Sequence, residues 1–385
     1  FVMKHFLKIA LLFWMALGFG QTPNPYAQTD AKMSQIPTDL TLSAAGIARY
    51  IDTNFKTPTE RIRALYYWTA SNIVYDVPNM FEPNQLDSPE EKINKALRTR
   101  KGVCIHYAEV FREIANLLDI QTVIVSGYTK QAGIVSPISH AWCAAKIEGQ
   151  WYLFDPTWGA GYVDKQKFVK KLNNAYFKVA PQKMINSHMP FDYLWQFLNS
   201  PWNNQEFYDG KEMPNKPKKN FDYITEIERY EKLSENEQTF EEAARVEESG
   251  LKNALIVQYH KMLKGNFTVL TANKNIDRLN ELVTKYNEAI VYFNDYMMYR
   301  QRQFKPAMTD EELKAMFQSV KDKFLYCNDE VYKIGTVGSQ NAAMFSDLKK
   351  NISSNLREVE KQEAFLNDYL SRTKIGRKLL LSGRG

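Results

Sequence analysis

The sequence predicts a two-part protein, an α+β domain followed by an all-helical domain. An apolar pattern of helical period begins at Cys104 and changes near Gln121 to segments with the two-residue period of strands. From Tyr223 to the C-terminus, strand signals are absent and proline is almost absent. Apolar residues there recur every three and four positions, which is typical of helical bundles.

Length and composition are those of an ordinary globular protein. The 385 residues leave room for about two or three domains and are 44% hydrophobic and 24% charged. The formal net charge of +6 is modest and spread along the chain, which argues against a nucleic-acid partner. The basic clusters around Lys211–Lys219 and in the C-terminal tail are interpreted as solvated surface.

The first 20 residues have the pattern of a signal peptide. Lys4 and Lys8 precede an apolar run from Ile9 to Phe19, which is shorter than the roughly 20 residues that a membrane span needs. No cysteine lies near this run to carry a lipid. We therefore expect export (periplasmic or secreted), with cleavage after about Gly20 and no stable membrane anchor. Cleavage removes two lysines and leaves a net charge of about +4 on the mature chain.

Cysteine is sparse, with Cys104, Cys143 and Cys327 as the complete set, and there are five histidines. An odd, small number of cysteines in an exported protein argues against a disulfide framework and leaves at least one free thiol. No histidine stands at zinc-ligand spacing from cysteines or carboxylates, so neither a metal nor another cofactor is expected.

The α+β domain is expected at residues 43–210, after a polar, proline-punctuated linker at 21–42. Two helices are expected between Ser43 and Ile73, divided near Pro58, because proline is tolerated at a helix start. The helix from Cys104 carries a buried stripe, which consists of Tyr107, Ala108, Phe111, Ala115 and Leu118. The other segments are a loop (Asp76–Pro89), a helix (Glu90–Arg100) and strands at Gln121–Tyr128, His140–Ile147 and Trp151–Asp155.

A linker at residues 211–222 is expected to lead into a helical bundle at 223–385. Three apolar stripes predict its long helices, and breaks at Gly265, Pro306 and Gly335–Gly338 are short enough to fold them back on one another. The stripes are Ile276, Leu279, Val283, Tyr286, Ile290, Phe293 and Met297; Leu313, Val320, Phe324, Cys327 and Val331; and Phe345, Leu348, Ile352, Leu356 and Val359. Such a bundle is a candidate surface for a protein partner.

Cys104 is the candidate nucleophile. A free thiol is mostly protonated at neutral pH, and the unpaired N–H groups at a helix start favour the thiolate that attacks. Cys104 follows a glycine at the predicted start of its helix. The same N–H groups could hold the oxyanion of a tetrahedral intermediate, with a side chain from Trp68–Tyr75 as a weaker candidate for a second donor.

His140 and Asp155 are the candidate base and its orienting carboxylate. If Glu148-Gly149 is a two-residue hairpin loop, Ile147 faces Gln150 and Asp155 falls on the same face as His140, within side-chain reach. Asp155 could then accept the Nδ1 proton of His140 and turn the other ring nitrogen to a thiol. A three-residue loop would place the two side chains on opposite faces.

Taken singly, each of these residues has an ordinary structural explanation. A cysteine on an apolar helix is more often part of the core than a nucleophile. A histidine or an aspartate at a strand end is also usually structural. Their conjunction favours catalysis, whereas the same alternation turns Cys143 away from His140, and Cys327 lies on a buried stripe.

These motifs together resemble the transglutaminase-like superfamily of cysteine enzymes, which is related in fold to papain. The residues that carry the resemblance are Gly102-Val103-Cys104, Tyr107-Ala108, His140-Ala141-Trp142, Trp151–Asp155 and Thr157–Gly161. A later segment resembles the branch that includes the kyphoscoliosis peptidase; it comprises Tyr176-Phe177, Ile185, Ser187–Pro190 and Trp195–Leu198. The similarity runs from about Arg61 to Phe207. His106 departs from the pattern, because small residues are frequent there.

The resemblance implies a papain-like core with Cys104 as nucleophile, His140 as general base and acid, and Asp155 as its orienting group. It implies an enzyme that acts on peptide or isopeptide amide bonds through a thioester, with a protein or peptide as substrate. We expect a peptidase, because water is the abundant acceptor outside the cell. Two alternatives stay open, a cross-linking transglutaminase that passes the acyl group to an amine, and a non-catalytic scaffold that binds peptides.

Overall fold

The computed structural model describes residues 24–81, 87–214 and 221–383. The predicted signal peptide lies outside the described residues, and part of the predicted linker at 211–222 does too. The chain divides into two compact units, of which the first comprises Phe1–Lys232 and Glu241–Lys261, and the second comprises Leu233–Phe240 and Met262–Gly385.

The first unit contains short helices around small sheets, which are antiparallel except for the pair β1 and β2. Its helices are α1 (Ala27–Met33), α2 (Ala44–Asn54), α3 (Pro58–Asn72), α4 (Pro89–Thr99), α5 (Cys104–Leu117), α6 (Pro156–Ala160), α7 (Pro181–Met184), α8 (Asn204–Asp209) and α9 (Tyr223–Tyr230). Its strands are β1 (Val74–Tyr75), β2 (Lys101–Gly102), β3 (Thr122–Gln131), β4 (Ile134–Ile147), β5 (Gln150–Phe154), β6 (Gly161–Asp164), β7 (Lys167–Lys170) and β8 (His188–Pro190).

The main sheet is antiparallel and has the strand order β5-β4-β3-β8. The apolar stripe of α5 packs against one face of it, where Phe111 meets Phe154 with ring centroids 5.4 Å apart. Every residue of the stripe predicted from the sequence is buried. The α+β class and the packing of the Cys104 helix on an antiparallel sheet are therefore confirmed.

The hairpin between β4 and β5 has the predicted two-residue loop. Ile147 pairs with Gln150 and Cys143 with Phe154. Glu148 and Gly149 both have positive φ, at 52° and 81°, as the tight turns that suit twisted hairpins require. The register that brings Asp155 and His140 to one face is confirmed.

Strand β4 is longer than predicted, because it begins at Ile134 and not at His140. The sequence pattern did not predict this start, because the segment contains Pro137. Proline lacks an N–H group and is normally absent from the interior of a strand. In the structure β5 pairs only with the second half of β4, residues 143–147. Pro137 therefore lies where one edge of β4 has no β5 partner, which is a position that tolerates proline.

Residues 27–42 differ from the predicted linker, because they form α1 and a 3-10 helix at Thr38–Leu42. Asp30 on α1 accepts two hydrogen bonds from Arg63 on α3, at 2.7 and 2.6 Å, and both side chains are buried. Met33 on the same helix is part of the hydrophobic core. The polar, proline-punctuated sequence gave no sign of this ion pair, since its two partners lie far apart in the chain.

Replacing Asp30 with alanine is expected to destabilise the first unit by about 3–5 kcal/mol, because it leaves the Arg63 guanidinium buried without its counter-charge. Asp52→Ala is the matched control, since Asp52 pairs with Arg61 at an exposed position and should cost at most about 1 kcal/mol. Chemical denaturation of the full chain measures both changes. Equal small losses in the two variants would contradict a buried, stabilising contact.

The first unit also extends beyond the predicted domain end at residue 210. Arg245 lies on α10 (Glu235–Glu248) and contacts buried Asp192 through three hydrogen bonds of 2.8–3.0 Å. Asn204 donates to the carbonyl oxygens of Ser249 and Gly250. These buried polar contacts explain why residues 241–261 belong to the first unit and not to the predicted bundle.

The second unit is helical, as predicted. Its long helices are α11 (Ala254–Gln301), of which residues 262–301 belong to this unit, α12 (Asp310–Val331) and α13 (Ser339–Ser371), followed by α14 (Lys374–Leu381). The three predicted stripes supply two apolar clusters among its described residues. The breaks at Pro306 and at Gly335–Gly338 occur as expected, whereas α11 runs straight through Gly265. That prediction was wrong because a single glycine costs a helix only about 1 kcal/mol.

Among the residues that the structure describes, no helix has the length and apolar character needed to cross a membrane.

Candidate active site

Cys104 is the first residue of α5 and is partly exposed. Val103 before it has extended backbone angles, so the helix begins abruptly at the cysteine. The N–H groups in the first turn of any helix lack acceptors within that helix, and they form the positive end of its dipole. Cys104 and its own N–H group are therefore placed where a thiolate and an oxyanion are both stabilised.

The start of α5 is fixed by a short parallel pairing of β1 with β2. The Val74 and Asp76 N–H groups donate to the carbonyl oxygens of Arg100 and Gly102, at 2.8 and 3.0 Å. A Cβ atom at Gly102 would lie 2.5 Å from the Cβ of His106, so only glycine fits there. These contacts place the start of α5 relative to the strand before it.

His106, the departure noted in the sequence, supports the helix start. Its Nδ1 accepts a hydrogen bond from the Val103 N–H at 3.3 Å. Burial lowers the pKa of His106, and the nearby Lys95 and Lys92 lower it further. A neutral ring is what an accepting Nδ1 requires.

The structure brings His140 and Asp155 together. The His140 Nε2 lies 2.8 Å from Asp155 Oδ2, and both side chains are buried. The expectation that Nδ1 would face Asp155 is wrong, because the ring of His140 is oriented with Nε2 toward the carboxylate. Cys104 interacts with His140, and because Nε2 faces Asp155, Nδ1 is the ring nitrogen left for the thiol.

Asp155 accepts four hydrogen bonds, which is about the full capacity of a carboxylate. Its Oδ1 accepts from the backbone N–H groups of Thr157 and Trp158 at 2.9 and 3.0 Å, since Asp155 caps α6. Its Oδ2 faces the Nε2 atoms of His140 and of His188, the latter at 3.0 Å. A fully buried charge is stabilised in this way without contact with water.

His188 is the residue that sequence reasoning missed. The sequence pattern gives His188 no chemical role, yet it contacts the same carboxylate oxygen as His140. Strand β8 carries it to the free edge of β3, where Met189 pairs with Tyr128. Three residues are too few for a strand signal, so only the resemblance of Ser187–Pro190 to a known branch marked this segment.

The charges of this site shift the pKa values of its members in opposite directions. Burial alone would lower the pKa of His140, but the Asp155 carboxylate and Cys104 outweigh burial and raise the pKa to about 10. Burial raises the pKa of Asp155, but His140 and His188 outweigh it and hold that pKa well below its usual range. Asp155 is therefore an ionised acceptor, and His140 keeps its proton readily.

His140, Asp155 and His188 also form a set of side chains that could ligate a metal ion. Spacing along the chain did not show this set, because two different strands and the end of a third bring it together. The two histidine nitrogens contact Oδ2 directly, at 2.8 and 3.0 Å. Ligand atoms around tetrahedral zinc lie about 3.3 Å apart, so these distances fit hydrogen bonds better than a coordination shell.

A cleft of about 780 Å³ opens onto His140. Apolar and aromatic side chains dominate its walls, and they include Ile134, Ile138, Trp158, Tyr162 and Phe168. Among the described residues that line it, none carries a carboxylate. The lining of the cleft is therefore mostly apolar, and these residues give it no negative charge.

Tyr75 is the residue of Trp68–Tyr75 that reaches this cleft. Burial, Cys104 and Asp155 raise its pKa, so its phenol keeps the proton. Trp68 lies in the core instead, with the Arg100 guanidinium 5.0 Å from its ring centroid. Of the aromatics proposed as a second oxyanion donor, Tyr75 has the better position.

The other two cysteines lie in apolar surroundings. Cys143 is fully buried between α5 and the sheet, with its Sγ 3.5 Å from the Ala108 carbonyl oxygen, and burial raises the pKa of its thiol. Cys327 is buried in the second unit, where burial raises its pKa to about 11. Neither thiol is suited to attack a substrate.

Comparisons with known proteins concern the first part of the chain. Residues 45–156 match the model of the transglutaminase-like superfamily. The human kyphoscoliosis peptidase is 36% identical over 159 residues, which cover 39% of this chain and 24% of that protein. Cytokinesis protein 3 of Saccharomyces cerevisiae is 23% identical over 145 residues, or 35% of this chain and 16% of the yeast protein. The chain thus matches about a quarter or less of the length of these relatives.

Solved structures give weaker likenesses. The periplasmic domain of TgpA from Pseudomonas aeruginosa is 22% identical, with a TM-score of 0.26 over 34% of this chain and 48% of that chain. A structure described as a TGase is 17% identical, with a TM-score of 0.24 over 45% of this chain and 43% of the other.

Proposed function

Because the chain contains a domain of the transglutaminase-like superfamily of cysteine enzymes, we propose that it hydrolyses amide bonds of peptides or proteins through a thioester on Cys104. One observation carries the proposal: His140 lies between the Cys104 thiol and a buried, ionised carboxylate. This is the arrangement of nucleophile, base and orienting group that activates a thiol.

The reaction has two halves, with His140 moving the proton in each. The Cys104 thiolate attacks the carbonyl carbon, and the tetrahedral oxyanion is held by the Cys104 N–H, with Tyr75 as second donor. The C–N bond breaks as the His140 imidazolium gives its proton to the leaving amine, leaving a thioester. His140 then takes a proton from water, the hydroxide attacks, and the C–S bond breaks to release the acid and the thiolate.

The apolar cleft beside His140 indicates the substrate class. A peptide segment that binds there meets aromatic and aliphatic walls and no carboxylate among the described lining residues. Substrates with apolar residues near the scissile bond should therefore be preferred over substrates with lysine or arginine there.

A cleavage profile on a diverse peptide library tests the proposal, read with and without an added primary amine. Released amino and carboxyl ends show hydrolysis, whereas a product that carries the amine shows acyl transfer, as in a cross-linking transglutaminase. Peptides that bind in the cleft but stay intact under both conditions would support the non-catalytic scaffold and overturn the proposal.

Turnover is expected to stay high up to alkaline pH and to fall only near pH 10. The leaving amine needs the proton of the His140 imidazolium, and the pKa of His140 is raised to about 10. Initial rates across pH 6–11 measure this, with thermal unfolding at each pH to show that the protein stays folded. A fall centred near pH 6.5, the ordinary value for histidine, would contradict the raised pKa.

We also propose that the enzyme acts outside the cytoplasm. The support is the segment of Lys4 to Gly20, in which basic residues precede a short apolar run and small residues. N-terminal sequencing of the protein recovered outside the cytoplasm should begin after about Gly20. A protein that is found inside the cell with this segment intact would overturn the proposal.

A further inference from the structure

His188 lies between two fixed partners, Asp155 and Ser187. Its Nε2 is 3.0 Å from Asp155 Oδ2, and its Nδ1 is 2.8 Å from the Ser187 Oγ. The side chain is fully buried. Because Asp155 is ionised and can only accept, the His188 Nε2 must carry the proton that is donated to it.

An aromatic enclosure holds the His188 ring in place. Ring centroids of Trp142, Trp158 and Tyr176 lie 5.1, 4.6 and 6.0 Å from that of His188. Burial lowers the pKa of His188, despite the opposing effect of Asp155. A neutral ring with Nε2–H toward Asp155 has an accepting Nδ1, which the Ser187 hydroxyl satisfies.

An orienting carboxylate must itself be held by groups other than the one it orients. The Thr157 and Trp158 N–H groups hold only Oδ1 of Asp155. The remaining oxygen, Oδ2, contacts His140 and His188. Apart from the base itself, His188 is therefore the side chain that fixes the oxygen to which the base is bound.

We propose that His188 is a positioning residue, whose Nε2–H holds Asp155 Oδ2 in place so that His140 keeps Nδ1 directed at Cys104. The consequence for turnover rests on the proposed function, whereas the consequence for thiol reactivity does not. Without this N–H, the carboxylate loses one hydrogen bond to its charged form and is held only through Oδ1, by the Thr157 and Trp158 N–H groups. His140 then holds its proton less firmly, and the thiolate forms at higher pH.

Other titratable groups around Asp155 do not confuse a pH measurement. Tyr66, Tyr75, Tyr107 and Tyr176 all interact with Asp155, and burial raises the pKa of each, so they stay neutral over the useful range. A change in the pH profile of Cys104 therefore reports on His140, Asp155 and His188.

The test compares His188→Phe with His188→Gln by the rate of Cys104 alkylation with iodoacetamide between pH 4 and 9, which needs no substrate. Phenylalanine fills the aromatic enclosure without an N–H, whereas the glutamine amide can donate as Nε2 does. We expect His188→Phe to lose about 10- to 100-fold in rate at mildly acidic pH, as loss of an outer hydrogen-bonding partner does for metal-bound histidines. The rise of the alkylation rate with pH should occur at higher pH in His188→Phe than in the wild type. His188→Gln should keep most of the wild-type rate.

Ser187→Ala is the milder variant in case His188→Phe does not fold, and thermal unfolding identifies that case. Ser187→Ala removes the hydroxyl group that contacts Nδ1 of His188, and it should lower the alkylation rate by a smaller factor than His188→Phe does. A wild-type rate and profile in His188→Phe, or in Ser187→Ala where the former is unfolded, would overturn the proposal. An equal loss of alkylation rate in His188→Gln and His188→Phe would also overturn it, because the loss would then come from the changed volume of the ring and not from the missing N–H group. Failure of the proposed function would appear separately, as normal alkylation without turnover.

Discussion

Replacing Cys104 with alanine is expected to abolish turnover, with a loss of about 10⁴-fold or more, because the sulfur that forms the thioester is gone. The structure leaves no substitute, since Cys143 is buried between α5 and the sheet and Cys327 is buried in the second unit. The fold should be kept, because Cys104 is partly exposed and its side chain is small. Initial rates on the preferred peptide measure the loss, and thermal unfolding measures the stability.

Cys143→Ala is the matched control, because it makes the same chemical change at a buried site. It should keep its activity per folded molecule, but lose about 1 kcal/mol of stability through the cavity left by the sulfur. The two variants therefore separate chemistry from packing. An active Cys104→Ala enzyme would exclude the assignment of the nucleophile, whatever its stability.

The part of the site that the sequence predicted depends on local rules. A Glu148-Gly149 turn of two residues sets the register of β4 with β5, and this register alone puts Asp155 and His140 on one face. The buried stripe of α5 follows equally from helical spacing. Both are short-range patterns, so one sequence was enough to find them.

The parts that the sequence could not predict depend on contacts distant in the chain. His188 reaches Asp155 only because β8 adds to the edge of β3, and Gly127 permits that close approach, since a Cβ there would lie 2.1 Å from the Met189 carbonyl oxygen. The predicted ring orientation of His140 was wrong because it too depends on contacts that are distant in the chain. Strand register decides which faces meet, but the rotation of a ring depends on everything packed around it.

The N-terminal segment and the domain boundary show a second limit of sequence reasoning. Asp30 and Arg63 stabilise each other only when α1 lies against α3, and Asp192 pairs with Arg245 across 53 positions. Each residue looks like a solvated charge in the sequence. Composition therefore predicted a linker that contains Asp30, and a domain end between Asp192 and Arg245, where the structure has buried ion pairs.

Asp155→Asn tests the orientation of His140 more sharply than removal of the carboxylate does. The Thr157 and Trp158 N–H groups require an oxygen at the Oδ1 position, so the asparagine carbonyl must stay there. Its NH₂ group then occupies the Oδ2 position and faces the Nε2 atoms of His140 and His188. Two N–H groups on one nitrogen can satisfy both rings, provided that each ring accepts at Nε2.

In this variant His140 is therefore expected to adopt the opposite tautomer, with its proton on Nδ1 and facing Cys104. Such a ring cannot take the thiol proton, and turnover should fall about 10⁴-fold, as in a serine-protease triad with the same change. Packing is nearly unchanged, so the fold should be kept, which thermal unfolding checks. Cys104 alkylation at mildly acidic pH should fall with turnover. If Asp155→Asn kept the alkylation rate of the wild type, the carboxylate would have no part in directing His140, and the proposed roles of Asp155 and His188 would both be lost.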